Sequence, residues 1–243
     1  MPIKVPDNLP ALKALHAESV DIMPQKQAVR QDIRPLRLLL LNLMPKKRDT
    51  EIQFARLFGN TPLQVEMILM TTASYTPQNT EPGYLRRFYR QLDDVRNDYF
   101  DALIITGAPI ETLPFEDVKY WGELTEIMEW SREHCFRRLG ICWGAQALLW
   151  HFHKVQKHGL KAKLFGIFEH HLSDVSGRLM HGFTDQFPMP ASRYTMNRSE
   201  DLMSAGLSVL AEGGECGAGM VQDPETGDLF VFNHLEYDAT TIG

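Results

Sequence analysis

Leu139-Gly140-Ile141-Cys142-Trp143-Gly144-Ala145-Gln146 sets a cysteine at the junction of an apolar strand and a helix, and its reading decides the fold. Glycines at 140 and 144 remove the β-carbons where backbone and helix come close, so the Cys142 side chain can project from a sharp elbow. Backbone N–H groups and the helix dipole at such a turn favour a thiolate and can hold a developing oxyanion. The bland alternative is a buried, inert cysteine. Outward from the elbow, Phe136 to Ile141 is the strand that feeds it and Ala145 to His153 the helix that leaves it. Upstream, Leu36 to Leu43 is apolar on both faces, as a central parallel strand requires. Leu63 to Met70 and Ala102 to Thr106 read as further strands. A helix opens at Asp49-Thr50-Glu51 and stops at Gly59-Asn60, and a tyrosine- and arginine-rich helix follows near Gly83 to Leu92. Val118, Trp121, Leu124, Ile127, Met128 and Trp130 give an amphipathic helix whose tryptophans read as core. From about Leu164 the strands become shorter and less uniformly apolar, which suggests antiparallel additions before the chain returns to the sheet at Leu229 to Phe232. This rhythm predicts an α/β fold, doubly wound and flavodoxin-like, with a mostly parallel sheet and helices on both faces.

A cysteine nucleophile needs a base, and the apolar run Leu229-Phe230-Val231-Phe232-Asn233-His234-Leu235-Glu236 ends in one. Residues two apart in a strand point to the same face, so His234 and Glu236 are expected side by side. The carboxylate would fix the imidazole tautomer and stabilise the imidazolium formed when His234 takes the thiol proton. The alternative is a surface His and Glu in a loop. In open parallel sheets, ligands lie beyond the carboxyl ends of the strands. Three loops are expected there: Asn42-Leu43-Met44-Pro45-Lys46-Lys47, Thr106-Gly107-Ala108-Pro109 and the Cys142 elbow. The backbone N–H groups of Ala108 and Trp143 could form a two-donor oxyanion hole. Without the elbow, the Gly107-Ala108 turn would read as an ordinary strand exit.

With 243 residues and 44% hydrophobic content, the chain can bury one sizeable core. One principal domain is expected over residues 36–243, preceded by an irregular proline-bearing arm over 1–35. The net charge of −6 and the lack of long Lys/Arg runs give no electrostatic support for a nucleic-acid or membrane-surface partner. Cys135, Cys142 and Cys216 form an odd, sparse set without a CxxC pair, which speaks against a disulfide framework or structural zinc and for a reducing cytoplasm. No signal-peptide core or membrane-length apolar run is present. His151 and His153 fall on different helix faces, and adjacent His170 and His171 point opposite ways in a strand, so no metal site is assigned.

Gly140-Ile141-Cys142-Trp143-Gly144-Ala145-Gln146, the Thr106-Gly107-Ala108-Pro109 turn and the late His-x-Glu together resemble class I glutamine amidotransferases. Met1-Pro2-Ile3-Lys4-Val5-Pro6, Asn42-Leu43-Met44-Pro45, Glu169-His170-His171, Ser192-Arg193-Tyr194 and His234-Leu235-Glu236-Tyr237-Asp238 more closely resemble the homoserine O-acyltransferases of methionine biosynthesis. The likeness spans nearly the whole chain. It implies a class I glutamine amidotransferase-like fold in which Cys142 is acylated by an acyl-CoA, His234 shuttles protons and Glu236 orients it. Lys163 and Ser192 match positions that contact substrate in that family; alone, Lys163 reads as a solvated surface lysine. The resemblance implies acetyl-CoA and L-homoserine as substrates, no tightly bound cofactor, and a homodimer that the proline-rich arm also suggests.

Glu111 follows the Gly-Ala-Pro turn, where in that family glutamate goes with acetyl donors and glycine with succinyl. A carboxylate beside the acyl pocket would repel the distal carboxylate of a succinyl group. Two unit charges about 4 Å apart at an effective dielectric near 20 repel by roughly 4 kcal/mol, enough to decide donor choice. Without the family context, Glu111 reads as a helix-start acid before Phe115. Family members continue past Tyr237-Asp238 through a segment with an arginine for the substrate's carboxylate, whereas this chain stops at Gly243. Either the chain is truncated or the homoserine site is completed differently. Ala191 stands where many relatives have histidine, and Leu235 where proline is common. The expected activity is homoserine O-acetylation by a ping-pong route through an acyl-cysteine. The alternatives are O-succinylation, a glutaminase using the same triad, and a catalytically incomplete binding protein.

Overall fold

Leu39, Leu40 and Leu41 are fully buried in succession, the pattern of a strand covered on both faces. They end β3 (Leu36–Leu41) in a computed structural model that describes residues 3–6, 9–18, 22–24, 34–75, 79–173, 178–238 and 241. The elements fall into two compact units, residues 1–104 with 119–136 and residues 105–118 with 137–243.

In the first unit the strand order is β2-β1-β4-β3-β6. These are β1 (Ile3–Val5), β2 (Ile22–Pro24), β4 (Val65–Met70) and β6 (Phe100–Ile105), with β5 (Tyr89–Arg90) beside β4. The β1–β2, β1–β4, β3–β4 and β4–β5 pairings are parallel. The described residues among the first 35 therefore carry regular structure, where the sequence predicts an irregular arm. Besides β1 and β2 they form α1 (Ala11–Ala17), with Leu15 wholly buried. Their apolar patches are short because each strand is only three residues long. Pro24 closes β2, a position where its missing N–H costs little. α2 (Lys47–Gly59) starts two residues before the expected Asp49. The tyrosine-rich helix ends early: α3 (Pro82–Phe88) gives way to β5, and α4 (Leu92–Val95) follows. α5 (Trp121–His134) turns Leu124, Ile127 and Met128 inward, while Trp121 and Trp130 are only half-buried.

The Asn42–Lys47 turn of this unit faces inward onto a polar network. Glu51, fully buried, accepts the Tyr84 and Tyr89 hydroxyls at 2.5 and 2.6 Å. Asn42 Nδ2 donates to Tyr89 Oη at 2.9 Å, and Lys47 Nζ donates to the Asn42 carbonyl. Burial raises the Glu51 pKa against the pull of both phenols and of Lys47, and burial lowers Lys47 to about 8. Each polar group so far from water has found a partner, as burial demands.

In the second unit the order is β7-β12-β11-β10-β8-β9. β7 (Cys135–Ile141) and β12 (Leu229–Val231) pair in parallel, Ile141 opposite Val231. β11 (Gly217–Gln222), β10 (Ser208–Gly213), β8 (His158–Leu172) and β9 (Gln186–Met196) add on antiparallel. The antiparallel additions are as expected; their lengths are not, since β8 has 15 residues and β9 has 11. Among the described residues only Leu172 and His171 of β8 pair with β10, and alternate β8 residues from Lys163 to Glu169 are exposed, so this stretch of the β8–β9 ribbon has one open face. Its outward residues include Lys163, Phe165 and Ile167, and a search for continuous apolar runs misses such a strand. Along β8, His170 is fully buried while His171 is exposed, the alternation expected of a pleat. No helix among the described residues is long and apolar enough to cross a membrane.

A buried ion pair braces β7 where it meets β12. Asp228 accepts the Arg138 backbone N–H at 2.8 Å and its Nε at 2.5 Å. Both side chains are under 10% exposed. Arg138→Met strands the carboxylate, and we expect a loss of about 3–5 kcal/mol, read as a lower midpoint in urea or thermal denaturation.

Candidate active site

Cys142 adopts φ 51° and ψ −114°, one of two non-glycine residues with positive φ among those described. Its backbone N–H donates to Val231 O at 2.7 Å, and its carbonyl accepts the Gln146 N–H at 3.2 Å as α6 (Trp143–Leu148) begins. The helix continues as a π-turn over Leu149–His153. A β-carbon on Gly140 would lie 2.4 Å from Ala145 Cα, and one on Gly144 would lie 2.3 Å from the Ile105 carbonyl oxygen. The two glycines therefore do what the sequence reading asked of them.

His234 stands beside this elbow, only 3% exposed. β12 ends at Val231, so His234 and Glu236 lie in the turn beyond the strand, and pleat alternation is not what aligns them. The turn is pinned by the His234 N–H donating to Pro190 O at 2.8 Å. Imidazole Nδ1 meets Glu236 Oε1 at 2.7 Å. A β-carbon built on Gly107 would touch Cys142 Cβ at 3.4 Å, His234 Cε1 at 3.7 Å and Cys142 Sγ at 3.9 Å. Cysteine, imidazole and the Thr106-Gly107-Ala108 turn thus converge on one point. His234 Nε2 is buried without a hydrogen bond of full geometry. Burial alone would lower the His234 pKa; the charges of Glu236 and Cys142, with hydrogen bonding to both, outweigh it and raise it to about 10. Such a group holds a proton at the edge of the sulfur, the arrangement of an acid–base pair around a nucleophile.

Ala108 and Trp143 are both buried; Ala108 follows Gly107, which borders Cys142, and Trp143 follows Cys142 itself. Glu111 precedes the 3-10 turn Phe115–Asp117 instead of starting a helix. Its Oε1 accepts the Tyr194 backbone N–H at 3.3 Å, and its carbonyl accepts Lys157 Nζ at 2.6 Å. Lys157 also donates to Leu113 O at 2.6 Å and lies 4.2 Å from the Phe115 ring centre. Phe115 in turn stacks on Trp150 and packs against Trp143. Ser192 lies within hydrogen-bonding reach of the Tyr237 phenol. Lys163 sits on the outward face of the ribbon, its Nζ over the Phe165 and Tyr194 rings at 5.0 and 5.8 Å.

Three supporting groups escaped the sequence reading. Tyr237 stacks on the His234 ring. Lys157 ties down the segment bearing Glu111. Arg193, 2% exposed, donates to Phe232 O, Asn233 Oδ1 and Cys216 O. Burial pulls its guanidinium pKa down, and the Cys142 and Cys216 sulfurs oppose that pull. Cys216 lies 3.1 Å from His170 Nε2. Burial raises the thiol's pKa and lowers the imidazole's, so this second cysteine–histidine pair is held neutral. Arg193 and Tyr237 stand within the Ser192-Arg193-Tyr194 and His234–Asp238 motifs, but nothing in a single sequence says which way they point.

A profile of the homoserine O-succinyltransferase family matches residues 2–243. A homoserine O-acetyltransferase of Novosphingobium aromaticivorans is 49% identical over 243 residues, covering all of this chain and 81% of that protein. One from Synechococcus elongatus is 51% identical with the same coverage. Among solved structures, a glutamine amidotransferase from Thermotoga maritima superposes with a TM-score of 0.60 at 12% identity, over 86% of this chain and 80% of that one. The glutaminase domain of a Trypanosoma brucei CTPS, solved with acivicin bound, gives 0.54 at 12% identity, over 84% and 87%. At such identities the structural likeness establishes the shared fold.

The raised His234 pKa has a thermodynamic sign. The folded chain binds this proton more tightly than an unfolded imidazole near 6.5, so the stability it contributes is complete below about pH 6.5 and is lost as the pH climbs toward 10. Urea midpoints measured from about pH 6 to about pH 10 should fall in the native protein, and Glu236→Gln should flatten that fall.

Proposed function

This chain belongs to the homoserine O-succinyltransferase family and is an acyltransferase; we propose that it moves acetyl from acetyl-CoA to the L-homoserine hydroxyl through an S-acetyl Cys142. The 2.7 Å contact between His234 and Glu236 beside the Cys142 elbow carries this reading. His234 Nε2 already holds the proton given up by Cys142, and the sulfur bonds to the thioester carbonyl carbon. The tetrahedral intermediate collapses, the bond to CoA sulfur breaks, and His234 returns the proton to the departing thiolate. In the second half, His234 removes the homoserine hydroxyl proton as that oxygen attacks the acetyl carbonyl. The Cys142 carbon–sulfur bond breaks, and the proton goes back to the sulfur. Glu236 holds Nδ1 and offsets the imidazolium charge throughout. Backbone N–H groups of Ala108 and Trp143 receive the oxyanion in each half.

Glu111 supports the acetyl donor. Its carboxylate is close enough to add its charge to the field at Tyr237, beside His234. A distal carboxylate on the acyl chain would enter that field and be repelled. Lys163 and Ser192 are assigned to substrate contact. Three free, buried cysteines suit a reducing compartment, and we assign the protein to the cytoplasm as a homodimer.

Intact-protein mass after brief exposure to acetyl-CoA should rise by one acetyl group and return on addition of homoserine. Cys142→Ala should show no rise, and His234→Asn should slow acylation by about 10²–10⁴-fold. Ammonia release from glutamine in place of an acyl-enzyme would overturn the assignment. Glu111→Gly should lower the acetyl-over-succinyl preference, measured as the ratio of kcat/KM values, by about tenfold or more.

A further inference from the structure

His234 has two edges and two faces, and only its edges are accounted for by an acid–base mechanism. Nδ1 is bound by Glu236, and Nε2 points to the buried space beside Cys142. One in-plane hydrogen bond leaves an imidazole free to tilt about the axis through the bonded nitrogen. Tilting would swing Nε2 out of line with the sulfur.

The ring face removes that freedom. The Tyr237 ring lies parallel to the imidazole, with centroids 4.1 Å apart and planes within 8°. That spacing is contact distance for two aromatic planes. The Tyr237 hydroxyl lies within hydrogen-bonding reach of the Ser192 side chain on β9, which pulls against the rise in its pKa. The contact joins the turn after β12 to the ribbon that also carries Lys163. Leu235, between His234 and Glu236 in sequence, is 38% exposed, so the turn directs His234 and Glu236 inward and its leucine outward. Burial raises the phenol's pKa, and the nearby Glu236 and Cys142 charges push the same way, so the plate stays neutral. An electron-rich face against an imidazole also favours its cationic form.

We propose that Tyr237 is a positioning residue for His234, a neutral aromatic plate that keeps Nε2 aimed at the Cys142 sulfur and that acts through its ring, with its hydroxyl serving only to anchor it to Ser192. This rests on the acyl-cysteine reading of the site, and its test separates the two.

The native protein, Tyr237→Phe and Tyr237→Leu are compared at matched folded fractions, established by circular dichroism and melting. Tyr237→Met takes the place of the leucine variant if the latter does not fold. Single-turnover acetylation of Cys142 by acetyl-CoA is followed by intact mass across pH. The phenylalanine variant keeps the ring and should acylate within about threefold of the native rate, with the same pH profile. The leucine variant should slow on the order of 10²-fold, the size of effect that small misplacement of a reacting group produces, with its half-saturating acetyl-CoA concentration unchanged and its pH profile shifted. Equal rates and profiles for leucine and phenylalanine would overturn the proposal. If the native protein takes up no acetyl group, the acyl-enzyme reading falls. The pH dependence of Cys142 alkylation by iodoacetamide then decides for Tyr237, a shift in leucine but not phenylalanine supporting it and no shift in either refuting it.

Discussion

Holding a residue with a β-carbon at φ 51° costs on the order of 1–3 kcal/mol, and it persists only where the surroundings over-determine it. At Cys142 they do. The Cys142 N–H is locked to Val231 O, the next helical turn hangs from its carbonyl, and glycines on either side let Ala145 and the Ile105 carbonyl approach to distances that no β-carbon tolerates. The direction of the sulfur follows from this strain, and so does its meeting with Gly107 and His234. Relaxing the elbow would leave every other group in place with nothing to act on.

Buried charge alone does not mark the chemistry. Lys47 and Glu51 are as deeply buried as the His234–Glu236 pair, yet every contact they make closes on another group of the same polar network. At His234 one nitrogen is satisfied and the other is left buried at the edge of a sulfur. Arg193 adds a cation whose hydrogen bonds, to two carbonyls and one amide oxygen, leave its charge formally unpaired by any carboxylate they reach. Its field falls on both neighbouring sulfurs. An open valence at a convergence of elements separates this site from the structural one.

The parallel strands and the elbow were legible because their signals are local: runs of leucine and valine for burial on both faces, paired glycines for close approach. The site cysteine, its histidine and its carboxylate were legible as types at spacings, although the geometry behind the last two differed. They were expected on a strand and stand on a turn, because β12 stops three residues short of His234. β1 and β2 were not legible because three-residue strands are too short to show a period. The long ribbon was misread because its open face breaks the apolar run with Lys161 and Lys163. Tyr237, Lys157 and Arg193 stayed hidden for another reason. Their partners are a ring face, two main-chain oxygens and the carbonyls of another strand, none of which leaves a trace in residue spacing.

Lys157 illustrates what such hidden support permits. A single ammonium grips the main-chain oxygens of residues 111 and 113 and rests on Phe115. The backbone at 111 is thereby mounted independently of the side chain it carries. A lineage or a protein engineer can exchange that side chain without the loop having to find a new path, so the change in acyl preference proposed for Glu111 would need only one mutational step.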